Sequence, residues 1–297
     1  MPLKQPVIID STLREGEQGP GVLFTHQDRQ TIIAGLHKVG VDEIELGVAS
    51  PLNGHLPRLF ADARRLTQGD CRLALWCRCR EEDIAFAGTC RPDVLALSIP
   101  VSDRHIRERL GKDNDWVRHT LIRSVRQALS LGIPYIALGF EDASRADSSF
   151  LRKAARTAEQ YGARRIRLAD TVGICSPDTV RRLVRTVAGE VDIEIGVHCH
   201  NDFGMATANS LAAVQAGADC LDATVLGLGE RAGNCRLEEV IGYLSFVLES
   251  QKYTPESLPQ LCRDVAAAAK KDIADNHPLV GAEIFTCESG LHQHGLS

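Results

Sequence analysis

The sequence contains no apolar run approaching the roughly 18 residues that a membrane-spanning helix requires, so no such helix is expected. It also lacks a basic excess. Its 34 Lys and Arg stand against 39 Asp and Glu, for a formal charge of −5, and no basic block occurs. This argues against a nucleic-acid-binding protein or one that docks on anionic membranes. The opening residues, MPLKQPVIIDSTLREGEQ, run directly into a strand-like segment without the apolar core of a signal peptide. The 10 cysteines are scattered without a disulfide-framework spacing and read as reduced thiols of a cytoplasmic protein. Low-complexity segments are absent. No glycine-rich dinucleotide turn follows the first candidate strand, which weighs against an open, doubly wound sheet.

What is present is an ordinary globular composition, 44% hydrophobic and 25% charged, arranged as short apolar runs alternating with longer amphipathic ones. Candidate strands are 7–10, 43–46, 72–76, 94–99, 135–139, 165–169, 194–197 and 220–224. Candidate helices include 27–39, 116–131, 149–161, 177–188 and 205–216, and Gly40, Gly132, Gly162 and Gly217 sit at helix ends. Strand–helix repetition favours a parallel sheet, and eight such units in ~230 residues match an α/β, (β/α)8 TIM barrel. Residues 1–250 are expected to form that barrel. Residues 251–297 read as a short C-terminal helical and loop extension, the start of a further subdomain, with a helix near 261–273.

A barrel of this kind carries its chemistry at the C-terminal ends of its strands. The unusual polar residues collect there: Ser11 to Gln18, Glu45, Ser98, Glu141 with Asp142, Asp170 with Thr171, His198 to Asp202, and Gly229 to Asn234. The sharpest local pattern is His198-Cys199-His200. On an extended segment both imidazoles point to one side and Cys199 to the other. Two convergent imidazoles suit a divalent metal that also needs a carboxylate, and Glu15, from the strand that closes the barrel, supplies one. Two histidines that merely cap loops are the alternative. Arg14 is placed to stabilise an oxygen that turns anionic, or else to pair with Glu17 or Glu45. Gln18 suits a carboxylate or hydroxyl partner. The stretch 227–234 reads as a substrate loop or simply as a strand–helix turn. Cys77-x-Cys79 lacks a matching pair and reads as plain thiols. The charged run 103–115 reads as a solvated helix or a loop near coenzyme phosphates, and Trp76 and Trp116 as packing.

Three segments, LREGEQ at 13–18, HCHNDFGMATANS at 198–210 and GLGERAGN at 227–234, resemble the DRE-TIM metallolyase superfamily. The resemblance is to its condensing branch of 2-isopropylmalate, citramalate and homocitrate synthases, and it spans essentially the whole chain. GFEDASRAD at 139–147 and ADTVGICSP at 169–177 are similar to the homocitrate synthases of nitrogen fixation. The resemblance implies an acyltransferase that condenses acetyl-CoA with a 2-oxo acid, with 2-oxoglutarate giving homocitrate as the leading case. It implies a divalent cation (Mg2+, Mn2+ or Zn2+) held by Glu15, His198 and His200. Catalytic roles fall to Arg14, Glu45, Glu141, Thr171 and His292, and substrate contacts to Arg14, Gln18, Thr171 and Asn234. It further implies a cytoplasmic homodimer in which His292 reaches the neighbouring subunit, with no nucleic-acid or membrane partner. The sequence departs from the family in three places. Arg29 stands where a Lys is usual. Ala137, Gly139 and Glu141 replace an Arg-x-Ser-x-Glu pattern that grips a distal carboxylate. The chain ends shortly after His292, as a truncated piece or an enzyme completed by a second chain would. A lyase of the 3-hydroxy-3-methylglutaryl-CoA type and an inactive partner subunit are the competing readings.

Overall fold

The computed structural model describes residues 5–284 and 286. Eight strands, β1 (Val7–Asp10), β2 (Glu43–Val48), β3 (Arg72–Arg78), β4 (Val94–Pro100), β5 (Tyr135–Glu141), β6 (Arg165–Asp170), β7 (Glu194–Cys199) and β8 (Cys220–Ala223), form a closed parallel barrel. Closure is made by β1 against β8, with Val7 opposite Cys220 and Asp10 opposite Ala223. Every strand begins at the residue the apolar pattern indicates. Most run one or two residues further, because the ladder continues past the apolar run: Pro100 pairs with Glu141 and Asp170 with Cys199.

The intervening helices are α1 (His26–Val39), α2 (Leu56–Leu66), α3 (Glu81–Cys90), α4 (Asn114–Ser130), α5 (Ser148–Gln160), α6 (Pro177–Ala188), α7 (Ala206–Gln215) and α8 (Leu237–Gly242). Local chemistry sets their ends. Thr25 and Asp28 form a reciprocal capping box on α1, and Gly40 closes that helix in the left-handed conformation, φ 93°. The charged run 103–115 is not one helix, contrary to expectation. A short helical turn, Arg104–Arg109, ends before Gly111 (φ 61°), and Asp113 then caps α4 by accepting the Trp116 amide at 2.7 Å. A ninth helix, α9 (Leu258–Ala269), lies against α1, where a Cβ on Gly35 would come within 2.7 Å of Leu261. No described helix is long and apolar enough to cross a membrane.

Alternation along each strand divides the interior in two. Residues such as Leu73, Leu75, Leu95, Leu97, Ile136 and Leu138 face the helices and form the main core. The facing positions Ala74, Ala96 and Ala137 form a separate small cluster inside the barrel. Branched aliphatic layers ordinarily fill such a lumen; here arginine fills it. Arg165 forks onto Glu43 at 2.9 and 3.0 Å, and two residues on, Arg167 reaches Glu45 at 3.1 Å. Strands β6 and β2 stand on opposite walls, so both bridges cross the lumen. Small residues make room: a Cβ on Gly196 would already be 3.5 Å from Arg165 Cδ, and one on Gly139 3.8 Å from Arg167 Nε.

Candidate active site

The loop after β1 is anchored from below. Asp10 accepts both the amide and the hydroxyl of Thr12 at 2.9 Å, and Thr12 Oγ1 in turn accepts the Val225 amide at 2.9 Å. That ties the β1 loop to the β8 loop. Burial raises the Asp10 carboxyl to about 7 against the pull of Thr12's donors. Leu13 turns into the core, which directs the neighbouring Arg14 and Glu15 to the mouth of the barrel.

On β7, His198 and His200 share the inner face, with ring centroids 4.9 Å apart and planes at 82°, while Cys199 packs into the core on the other side. The 227–234 loop folds over them. Asn201 donates its amide to Gly233 O at 2.9 Å, and a Cβ on Gly233 (φ 86°) would lie 2.0 Å from Gly227 O, so only glycine fits. Asn234 donates through Nδ2 to Leu228 O at 2.8 Å, leaving its Oδ1 buried and without a partner among the described residues.

One buried chain of charge links these parts. Arg14 Nε donates to Glu45 Oε2 at 2.6 Å, which also accepts the Ser11 hydroxyl at 2.7 Å. Glu45 Oε1 accepts Arg167 Nη1, and the same Nη1 reaches Asp222 Oδ2 at 2.9 Å. Asp222 Oδ2 lies 2.8 Å from His198 Nδ1. Burial works to raise the Glu45 carboxyl, but Arg14 and Arg167 outweigh it and hold it at about 2. Burial likewise disfavours charge on Arg167, and Asp222 and Glu45 more than restore it. Burial lowers His198, with Asp222 opposing; His200 falls to about 2 through burial, then His198, Arg231 and Arg14. Both imidazoles are therefore neutral, the form that ligates a metal.

A divalent cation fits this donor set. Ligand atoms of Glu15, His198 and His200 lie within 4.8 Å of one another, and all three residues are buried. Glu15 Oε2, His198 Nε2 and His200 Nδ1 are buried atoms without a hydrogen-bond partner among the described residues. Three orphaned lone-pair donors converging on one point would be costly unless something cationic satisfied them. Asp222 on His198 Nδ1 is the outer partner that such a histidine ligand commonly has, aiming Nε2 inward.

The mouth of the barrel holds a cavity of about 270 Å3 lined by Arg14, Glu15, Gln18, Glu141, Thr171, His198 and His200. Seven of the residues singled out in the sequence thus meet in one place. Thr171 Oγ1 accepts the Asp142 amide at 2.8 Å, and Glu141 Oε1 accepts the Ser98 hydroxyl at 2.7 Å. Glu45 is fully buried beneath the cavity and does not line it; Asn234 sits beside His200, paired through a single bridge. His292 lies outside the described residues. Trp76 is more than packing, since it lines the cavity and carries the Arg14 guanidinium over its ring at 5.7 Å. Sequence reasoning missed Arg167 and Asp222. The available signal was the alternation in RIRLAD, which puts Arg165 and Arg167 on the same inward face.

The HMGL-like family model matches residues 5–265. A homocitrate synthase from Frankia alni is 41% identical over 292 residues, covering 97% of this chain and 81% of that protein. 2-Isopropylmalate synthase 2 from Caldanaerobacter subterraneus subsp. tengcongensis is 38% identical over 299 residues, 98% of this chain and 76% of that protein. Among solved structures, hydroxymethylglutaryl-CoA lyase from Pseudomonas aeruginosa superposes with a TM-score of 0.80 at 20% identity, over 92% of this chain and 96% of that one. That likeness establishes the shared fold. On the extent of the family match and the identity to the synthases, this chain belongs to the HMGL-like family and is an acyltransferase of the kind those synthases represent.

Proposed function

We propose that the chain condenses acetyl-CoA with a 2-oxo dicarboxylic acid and hydrolyses the thioester, with 2-oxoglutarate giving homocitrate as the leading reaction. The observation that carries this reading is the convergence of three orphaned ligand atoms, from Glu15, His198 and His200, beside the buried guanidinium of Arg14. Relatives at 38 to 41% identity include homocitrate and 2-isopropylmalate synthases, which supports the condensation. Homocitrate as the product, with the place in nitrogen fixation that the sequence resemblance implies, belongs to this proposal. A cation held by Glu15, His198 and His200 would supply Lewis acidity toward a 2-oxo group.

The chain's own residues do the rest. Glu141, on the cavity wall, takes a proton from the methyl of the acetyl thioester, leaving an enolate. The enolate carbon bonds to the 2-oxo carbon, and the former oxo oxygen becomes an alkoxide. Arg14 donates to that oxygen, held in place by Glu45 below and Trp76 at its face. Thr171, whose oxygen already accepts the Asp142 amide, keeps its hydroxyl hydrogen free for a substrate oxygen. Gln18 lines the entrance, and Asn234 Oδ1 remains available beside His200. His292 completes the acid/base set from a partner subunit. The proton that Glu141 took returns to the alkoxide as the tertiary hydroxyl. Water then adds to the thioester carbonyl, the C–S bond breaks, and the departing thiolate takes a proton from that water, leaving a carboxylic acid and free thiol.

The test is acetyl-CoA-dependent thiol release across pyruvate, 2-oxoisovalerate, oxaloacetate and 2-oxoglutarate with added divalent metal. Preference for 2-oxoglutarate, abolished by His200→Ala in a folded protein, is expected. Thiol release with none of them would overturn the proposal.

A further inference from the structure

A second cavity, of about 420 Å3, adjoins the first, and the two share Trp76, Ser98, Arg109 and Glu141 in their walls. Its remaining walls are largely apolar, with Ile99, Pro100, Leu110 and Trp116 among them. The basic side chains lining this space nearly all have a partner. Arg78 binds Asp83 at 2.7 Å, Arg80 pairs with Glu82 at 3.2 Å, and His105 stands 3.8 Å from Asp142. Arg14 and Arg167 are neutralised by Glu45 and Asp222. Strand β5 offers no cation to this wall, having Ala137 and Gly139 at its inward positions. Arg109, solvent-exposed at the end of the helical turn 104–109, is the exception among the residues that line the two cavities. It forms no ion pair or hydrogen bond among the described residues, yet it stands at the seam of both cavities.

We infer that Arg109 is the receptor for the distal carboxylate of the 2-oxo acid, with the intervening methylenes lying against Trp76 and the apolar wall. The inference rests on the proposed condensation and adds its specificity determinant. An unpaired guanidinium facing a chamber with apolar walls recognises a carboxylate at the end of a hydrocarbon spacer. A neutral branched 2-oxo acid would leave it without a partner. The volume of the second cavity admits chains longer than that of 2-oxoglutarate.

The test compares 2-oxoglutarate and 2-oxoadipate with 2-oxobutyrate, which lacks the distal carboxylate, in the full chain with Mn2+. Selectivity in kcat/KM for the dicarboxylates over 2-oxobutyrate should fall at least about tenfold in Arg109→Gln, mainly through KM, the scale of one charge-assisted contact. Arg109→Lys should recover part of it. Calorimetric Kd values for the same acids, measured without acetyl-CoA, should show the same change in ratio and do not depend on turnover. An unchanged ratio in both measurements overturns the inference. So does a rise confined to the KM for acetyl-CoA, which would assign Arg109 to the coenzyme. If the parent binds dicarboxylates selectively through Arg109 but releases no thiol, the inference stands and the condensation falls.

Discussion

Arg167→Met tests the claim that a charged lumen holds this barrel together. The substitution keeps most of the side-chain length and removes the cation shared by Glu45 and Asp222, both almost fully buried. Breaking a buried pair by deleting one partner typically costs about 3–5 kcal/mol, because a carboxylate is left uncompensated. The Glu45 carboxyl gives an independent figure. Its value of about 2 lies below the ordinary 4.5, a difference worth on the order of 3 kcal/mol at neutral pH. Because the folded value is depressed, that stabilisation is complete above pH 4.5 and is lost as pH falls toward 2. Arg167→Met removes part of it and should move the acid-unfolding limb to higher pH. Both contacts run from the single atom Nη1, so Lys, with one ammonium, can make either. Arg167→Lys should therefore cost about 1 kcal/mol, the scale of an imperfectly replaced hydrogen bond. Urea denaturation of the three proteins from pH 3 to 7 measures all of this. Equal losses for Met and Lys, or a loss for Met under about 1 kcal/mol, would refute the reasoning.

Three further outcomes are expected. Asp222→Asn should weaken divalent-metal binding by about 10–100-fold by calorimetry while circular dichroism stays unchanged, since it disturbs the partner that orients His198. Arg14→Lys should lower kcat by roughly 10², the effect of losing one oriented oxyanion donor, with metal affinity little altered; the reverse pattern would make Arg14 structural. Gly233→Ala should destabilise the protein by about 2 kcal/mol or more in urea, because its φ of 86° and the 2.0 Å approach to Gly227 O exclude a Cβ.

Much of the architecture follows from local rules. Apolar runs bounded by turn residues locate each strand start, and glycines and capping residues close the helices. The period of two in His198-Cys199-His200 predicts two imidazoles on one side, and the structure has them there. Motif order alone places the chain among the condensing synthases, in agreement with its relatives. Local rules fail where the partner is far along the chain. Glu45 pairs with Arg14, one of the two partners the sequence offered, but the catalytic role implied by resemblance meets a residue beneath the cavity whose oxygens are both taken by Ser11, Arg14 and Arg167. The charged run 103–115 read as one helix because charge periodicity does not reveal the break at Gly111.

By itself, then, the sequence determined the strand–helix alternation and the direction each strand residue faces, and it singled out Glu15, His198 and His200, whose side chains converge at the barrel mouth. Tertiary structure alone decided what stands opposite. Alternation says that Arg165 and Arg167 point inward, but only closure of eight strands brings β6 across from β2, so that Arg165 meets Glu43 and Arg167 meets Glu45, each 122 residues away. The same closure sets Asp222 behind His198 and places Arg109, unpaired among the described residues, at the seam of two cavities. Side-chain direction is a property of neighbouring residues, whereas charge compensation across a lumen depends on the whole ring.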